Sequence, residues 1–153
     1  MISFDANILF YASIRECDEQ ERAIASVQEA LRSPQNCIIA DQVYFELYRL
    51  LRNPAVVKNP IAAPEAAELV SWYRDRSGFG RCAWEPGFYA DLSASWSASS
   101  FPSRKTFDAI LAITLRRNGV SRLYTRNLRD FTDCGWLVHP ELPARERGCR
   151  RTD

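Results

Sequence analysis

The feature that most narrows the fold is the run from Thr106 to Thr125, TFDAILAITLRRNGVSRLYT, in which a helix hands over to a strand within a few residues. Leu111, Ala112 and Leu115 follow Asp108 at three, four and seven positions, one face of a helix. Thr106 is placed to cap that helix, Arg116 and Arg117 suit the negative end of its dipole, and Gly119 follows as the stop. SRLYT then reads as a short strand.

The same alternation runs through the rest of the chain. Residues 2–5 read as a strand turning into a short helix around Ile8–Ala12. A helix over 18–33 follows, with Ile24, Val27, Ala30 and Leu31 on one face and Pro34 at its end. Residues 36–41 read as a buried strand, and DQVYFELYRLLRN as a helix capped by Asp41 and stopped before Pro54. After a proline-punctuated loop, residues 64–76 form another helix with Pro64 near its start. Between Ser77 and Lys105 the pattern is weakest: RCAW reads as a strand, and EPGFYADLSASWS as a helix with Phe88, Leu92 and Trp96 four apart. CGWLVHPEL holds a last strand. Strands alternating with helices predict an α/β layer fold with a mostly parallel sheet. Residues 1–141 read as one domain, and 142–153 as a basic, disordered tail.

Bulk properties exclude several classes. The 153 residues suit one core, and a net charge of +1 with 25% charged residues is that of an ordinary globular protein. The five cysteines are odd in number and lack zinc-ligand spacing, so reduced thiols in a cytoplasmic protein are expected. MISFDANILFYA carries Asp5 inside its apolar run and has no basic leader, unlike a signal peptide. No apolar stretch has the length of about 20 residues that a membrane span needs.

Several acids stand where a core is expected. Glu46 follows Val43 by three and precedes Leu50 by four, on the apolar stripe of its helix, and Asp108 repeats the pattern. Asp5 ends the first strand, and Asp130 follows the TRN turn after SRLYT. Each has an ordinary alternative: a turn residue for Asp5, an ion pair with Arg49 or Arg74 for Glu46, a helix-dipole partner for Asp108, and a cap for Asp130. Taken together they describe a cleft at the C-terminal ends of parallel strands, where sites form in such sheets. Clustered carboxylates need a cation, and oxygen donors without His or Cys select Mg²⁺ or Mn²⁺. An ion so held activates water for phosphodiester hydrolysis.

FDANILFYA, YFELYRLL and FDAILAITLRRNGVSRLYTRNLRDF together resemble the PIN domain, and within it the VapC-like toxin ribonucleases of type II toxin–antitoxin pairs. The resemblance spans residues 2–138 and is weak between Ser77 and Lys105. It implies a three-layer α/β/α sandwich with a short, mostly parallel central sheet, and metal-dependent cleavage of single-stranded RNA. It assigns the first three acids to Asp5, Glu46 and Asp108. Many members have Thr-x-Asp where this chain has Thr125-Arg126-Asn127, so the fourth position falls to Asn127 or to Asp130. Asn7 and Thr125 would hold carboxylates and water in place. A homodimer and a cognate antitoxin, placing an Arg-bearing tail in the acidic cleft, are implied partners.

Candidate contacts for single-stranded or structured RNA are Arg104, Lys105, Arg126 and Arg129. Phe79, Trp84, Phe88, Tyr89, Trp96 and Phe101 offer stacking surface or core. Two other functions fit less well. A haloacid-dehalogenase-type phosphatase wants a second Asp where Asn7 stands. A catalytically weak RNA- or antitoxin-binding module draws its support from Asn127.

Overall fold

A computed structural model describes residues 1–14, 19–140 and 142. The elements follow in the order β1 (Ile2–Phe4), α1 (Ala6–Ser13), α2 (Gln20–Arg32), β2 (Ile38–Ala40), α3 (Asp41–Leu51), α4 (Ala63–Ser71), β3 (Gly80–Cys82), α5 (Phe88–Trp96), α6 (Thr106–Arg117) and β4 (Arg122–Tyr124). Short 3₁₀ turns at Pro34–Asn36, Ser103–Lys105 and Leu128–Phe131 link them, and α4 continues as a π-turn over Trp72–Arg76. Of the tail expected over 142–153, residues 143–153 lie outside the described residues.

All strand pairings are parallel. β1 pairs with β4, placing Phe4 opposite Tyr124, and β2 pairs with β3, placing Ala40 opposite Cys82. A bridge between Ile2 and Cys37 joins the two pairs, and one between Arg122 and Val138 extends the edge. The strands therefore lie in the order β3-β2-β1-β4, with Val138 outside β4. From β1 the chain moves outward through β2 to β3, then reverses to place β4 on the far side of β1. Right-handed crossovers put the helices of the outward leg on one face and those of the return leg on the other. The contacts agree: α1 packs on α2 and α3, α3 packs on α4, and α5 packs on α6. Between these layers Phe4, Ile8, Leu9, Ile39, Leu47, Leu115 and Leu123 are fully buried.

Three details differ from the sequence reading. Asp41 and Thr106 are the first helical residues, not caps; Ala40 and Lys105 hold the capping positions. The last strand is reduced to the single bridge at Val138. Of the three aromatic and aliphatic residues four apart in α5, Phe88 and Leu92 are buried, but Trp96 reaches solvent. Among the described residues Cys37, Cys82 and Cys134 are free thiols, and no helix is long and apolar enough to cross a membrane.

Candidate active site

The reversal between β1 and β4 leaves a crevice at the C-terminal ends of adjacent strands, the place where open α/β sheets bind ligands. Asp5 follows β1 directly, and its backbone N–H donates to the Tyr124 carbonyl at 2.9 Å, extending the β1–β4 ladder by one bond. It is the N-cap of α1, with Oδ1 accepting the Ala6 N–H at 2.7 Å. Oδ2 accepts from Thr125 Oγ1 at 2.6 Å and from Asn7 Nδ2 at 2.7 Å. The Asn127 N–H donates to Thr125 Oγ1 at 3.0 Å, and the Arg126 N–H to Asn7 Oδ1 at 3.1 Å. The turns after β1 and β4 are thus laced together around one carboxylate that is only 7% exposed.

The other acids arrive from three further elements. Glu46 is on α3, Asp108 in the first turn of α6, and Asp130 in the 3₁₀ turn after β4, where its N–H donates to the Asn127 carbonyl at 3.0 Å. Glu46 and Asp108 are half-buried, not core-facing as their spacing suggested. Both stand at the margin of their apolar stripes, each following an exposed aromatic, Phe45 and Phe107. Arg74, a candidate partner for Glu46, instead pairs with Asp41 and Asp75. Among the described residues no Lys or Arg forms an ion pair with Asp5, Glu46, Asp108 or Asp130.

The charges of neighbouring acids reach both Asp5 and Asp108. Burial pushes the Asp5 carboxyl up to about 6; the Thr125 hydrogen bond opposes this, while the charges of Glu46 and Asp108 add to it. Burial also raises Asp108, with Asp130 and Glu46 adding to the shift and Lys105 opposing it. Asp130 therefore belongs to the same field as Asp108. Asn127 is exposed, and its bonds among the described residues run through its backbone.

The donor set is all oxygen, which matches a hard divalent ion. No three carboxylates among the described residues converge closely enough to ligate one ion directly. The arrangement instead matches an ion that keeps several waters and takes one or two carboxylates, as Mg²⁺ usually does. The single histidine, His139, packs beside Phe131 and lies 3.3 Å from the Leu123 carbonyl through Nδ1.

The basic residues divide. Arg126 is held by Glu19 at 2.8 Å and Lys105 by Asp133 at 2.8 Å, so neither is the free cation that their position in the sequence suggested. Arg104 and Arg129 are exposed and form no ion pair among the described residues.

No protein-family model matches the chain. Over 139 residues the chain is 38% identical to Ribonuclease VapC24 of Mycobacterium tuberculosis, covering 89% of this chain and 92% of that protein. The chain belongs to the VapC ribonucleases. Solved structures share the VapC fold at lower identity. VapC20 of Mycobacterium tuberculosis, described as a sarcin–ricin loop cleaving toxin, aligns with a TM-score of 0.65 at 15% identity, over 88% of this chain and 95% of that one. VapBC2 of Rickettsia felis, bound to a promoter DNA fragment, aligns with a TM-score of 0.63 at 14% identity, over 92% and 98%.

One residue bonded to these acids escaped the sequence reading. Gln42 Nε2 donates to Glu46 Oε1 at 2.7 Å and to the Phe107 carbonyl at 3.0 Å, tying α3 to the start of α6. Its place one turn before Glu46 on the same helix was the available signal.

Proposed function

We propose that this VapC ribonuclease is a divalent-metal-dependent endoribonuclease that cuts single-stranded RNA as the toxin of a toxin–antitoxin pair. One or two of Asp5, Glu46, Asp108 and Asp130 would hold Mg²⁺ or Mn²⁺ directly, and the others through its waters. When bound, the ion supplies an acidified water and neutralises charge on the scissile phosphate. The observation that carries this reading is the convergence of four acids from separate elements, close enough that the others' charges add to the burial of Asp5 and Asp108, with no ion pair to any of the four among the described residues.

The chain's own groups prepare the site. Thr125 and Asn7 spend their donors on Asp5 Oδ2, which fixes the carboxylate's plane and keeps it ready to bind a cation near neutral pH. Gln42 Nε2, donating to Oε1, likewise orients the Glu46 carboxylate. The coupling of Asp130 to Asp108 supports Asp130, in place of Asn127, as the fourth acid. Arg104 and Arg129 are the cations left to meet the RNA backbone. A second copy of the chain and the antitoxin need apolar surface, and Phe45, Trp84, Tyr89 and Phe107 are 71%, 66%, 69% and 65% exposed. The fold shared with a VapBC assembly supports the antitoxin as partner.

Purified protein is expected to cut a single-stranded RNA pool with Mg²⁺ or Mn²⁺ and to stop with EDTA. Asp5→Asn and Asp108→Asn are expected to lose at least about 10²-fold in rate, the scale of losing a catalytic charge, with unchanged circular dichroism. No cleavage of any RNA by the wild-type chain would overturn the reading in favour of a binding module.

A further inference from the structure

A groove of about 310 Å³ runs on from the acids, and its aromatic and basic wall has no part in the metal chemistry. Its lining includes Phe101, Lys105, Arg116 and Trp136, and it shares Asp108 and Asp130 with the acid cluster. The Arg116 guanidinium carbon stands 5.9 Å from the Trp136 ring centroid, so a cationic plane and an indole are brought together in one wall. Lys105 is held in place by Asp133 at 2.8 Å. Phe101 and Trp136 are half-buried.

Flat aromatic and guanidinium surfaces are what an unpaired base stacks on, and a volume near 300 Å³ is at the lower end of small-molecule sites. A phosphate at Asp108 and Asp130 carries its neighbouring base within one nucleotide's reach of this wall. We infer that the groove seats one unpaired nucleobase of the RNA, next to the phosphate that is cut. The inference rests on the ribonuclease reading and deepens it: a base locked in a duplex has no free face to offer, so the seat selects single strands.

The test uses the intact chain in EDTA, where nothing is cut. Nucleoside 5′-monophosphates and ribose 5-phosphate are titrated against tryptophan fluorescence and, independently, by calorimetry. At least one nucleotide is expected to bind on the order of 5- to 150-fold tighter than ribose 5-phosphate, the range that stacking of one base supplies. Trp136→Phe should remove most of the quenching, whereas Trp84→Phe should not. Ser95 lines the groove from helix α5, so Ser95→Leu fills it without touching the core beneath Trp136. That variant should lose the preference for the base and, in Mg²⁺, raise KM for RNA with kcat unchanged. Equal binding of nucleotide and ribose phosphate, or a preference untouched by Ser95→Leu, overturns the base seat even if the enzyme cuts RNA. A base preference in a chain that cuts nothing sinks the ribonuclease reading instead.

Discussion

At Asp5, burial and the charges of Glu46 and Asp108 push the carboxyl one way while Thr125 and Ala6 pull it the other, and burial wins. The pKa moves from 3.8 to about 6, so the folded state disfavours the ionised form. The sign follows from linkage. Below 3.8 the group is protonated in both states and costs nothing; between 3.8 and about 6 the unfolded chain ionises first and stability falls. Above that window the cost levels at about 3 kcal/mol. Asp5→Asn is never ionised. In EDTA its melting temperature relative to wild type should rise between pH 4 and pH 6.5 and stay level above. A difference independent of pH would show that Asp5 carries no such penalty. Asp5, Glu46 and Asp108 stood out in the sequence because each adjoins an apolar run, whereas Asp130 sits in a polar turn and was singled out by its place after the strand. Gln42 was not, because an amide in the first turn of a helix looks the same whether it faces solvent or a carboxylate on its own helix. The ties of Arg126 to Glu19 and Lys105 to Asp133 were hidden for another reason: each joins residues from separate elements, and only the folded topology brings them together.

At the scale of elements, apolar runs and their breakers located the six α-helices and the four strands described, missed the 3₁₀ and π-turns, and added a fifth strand that is only the bridge at Val138. Capping residues were misassigned where a strand or turn feeds straight into a helix. Ala40 leaves β2 with extended backbone, φ −71° and ψ 141°, so the strand's last residue caps α3 and Asp41 is already helical. Thr106 is likewise preceded by the 3₁₀ turn Ser103–Lys105 and donates its hydroxyl back to the Ser103 carbonyl at 2.7 Å. The stretch hardest to read, Ser77 to Lys105, is organised from outside itself. Arg117 of α6 donates to Asp91 Oδ2 at 2.6 Å and to the Pro86 carbonyl at 2.7 Å, hooking the entry of α5. Gly87 permits this with φ +87°, its missing Cβ lying 3.0 Å from Arg117 Nη2. Arg117→Ala should cost about 1 kcal/mol, since the pair is partly exposed. Hydrogen exchange should show the loss concentrated in α5. Protection of α5 equal to wild type would mean that packing alone holds it.

For the whole molecule, the exposed Phe45, Trp84, Tyr89 and Phe107 are large apolar groups at the surface. Scattered rings need no explanation, but Phe45 and Trp84 line a common groove of about 230 Å³. If a second copy covers it, light scattering should give twice 17.5 kDa, and Phe45→Glu should return the mass to a single chain. A monomeric wild type would leave the antitoxin as the partner for this surface. The layer order and the parallel sheet could be argued from the alternation of elements. The placement of β4 beside β1 could not, because nothing local marks where the chain doubles back.

That doubling back has a bearing on how the protein is made. Thr125 and Asp5 are 120 positions apart along the chain, yet the hydroxyl of one positions the carboxylate of the other. A polypeptide still emerging from the ribosome lacks β4, the turn after it and Asp130 for most of its synthesis. Until that turn is made, Asp5 lacks the hydroxyl that orients it and the acid cluster lacks Asp130.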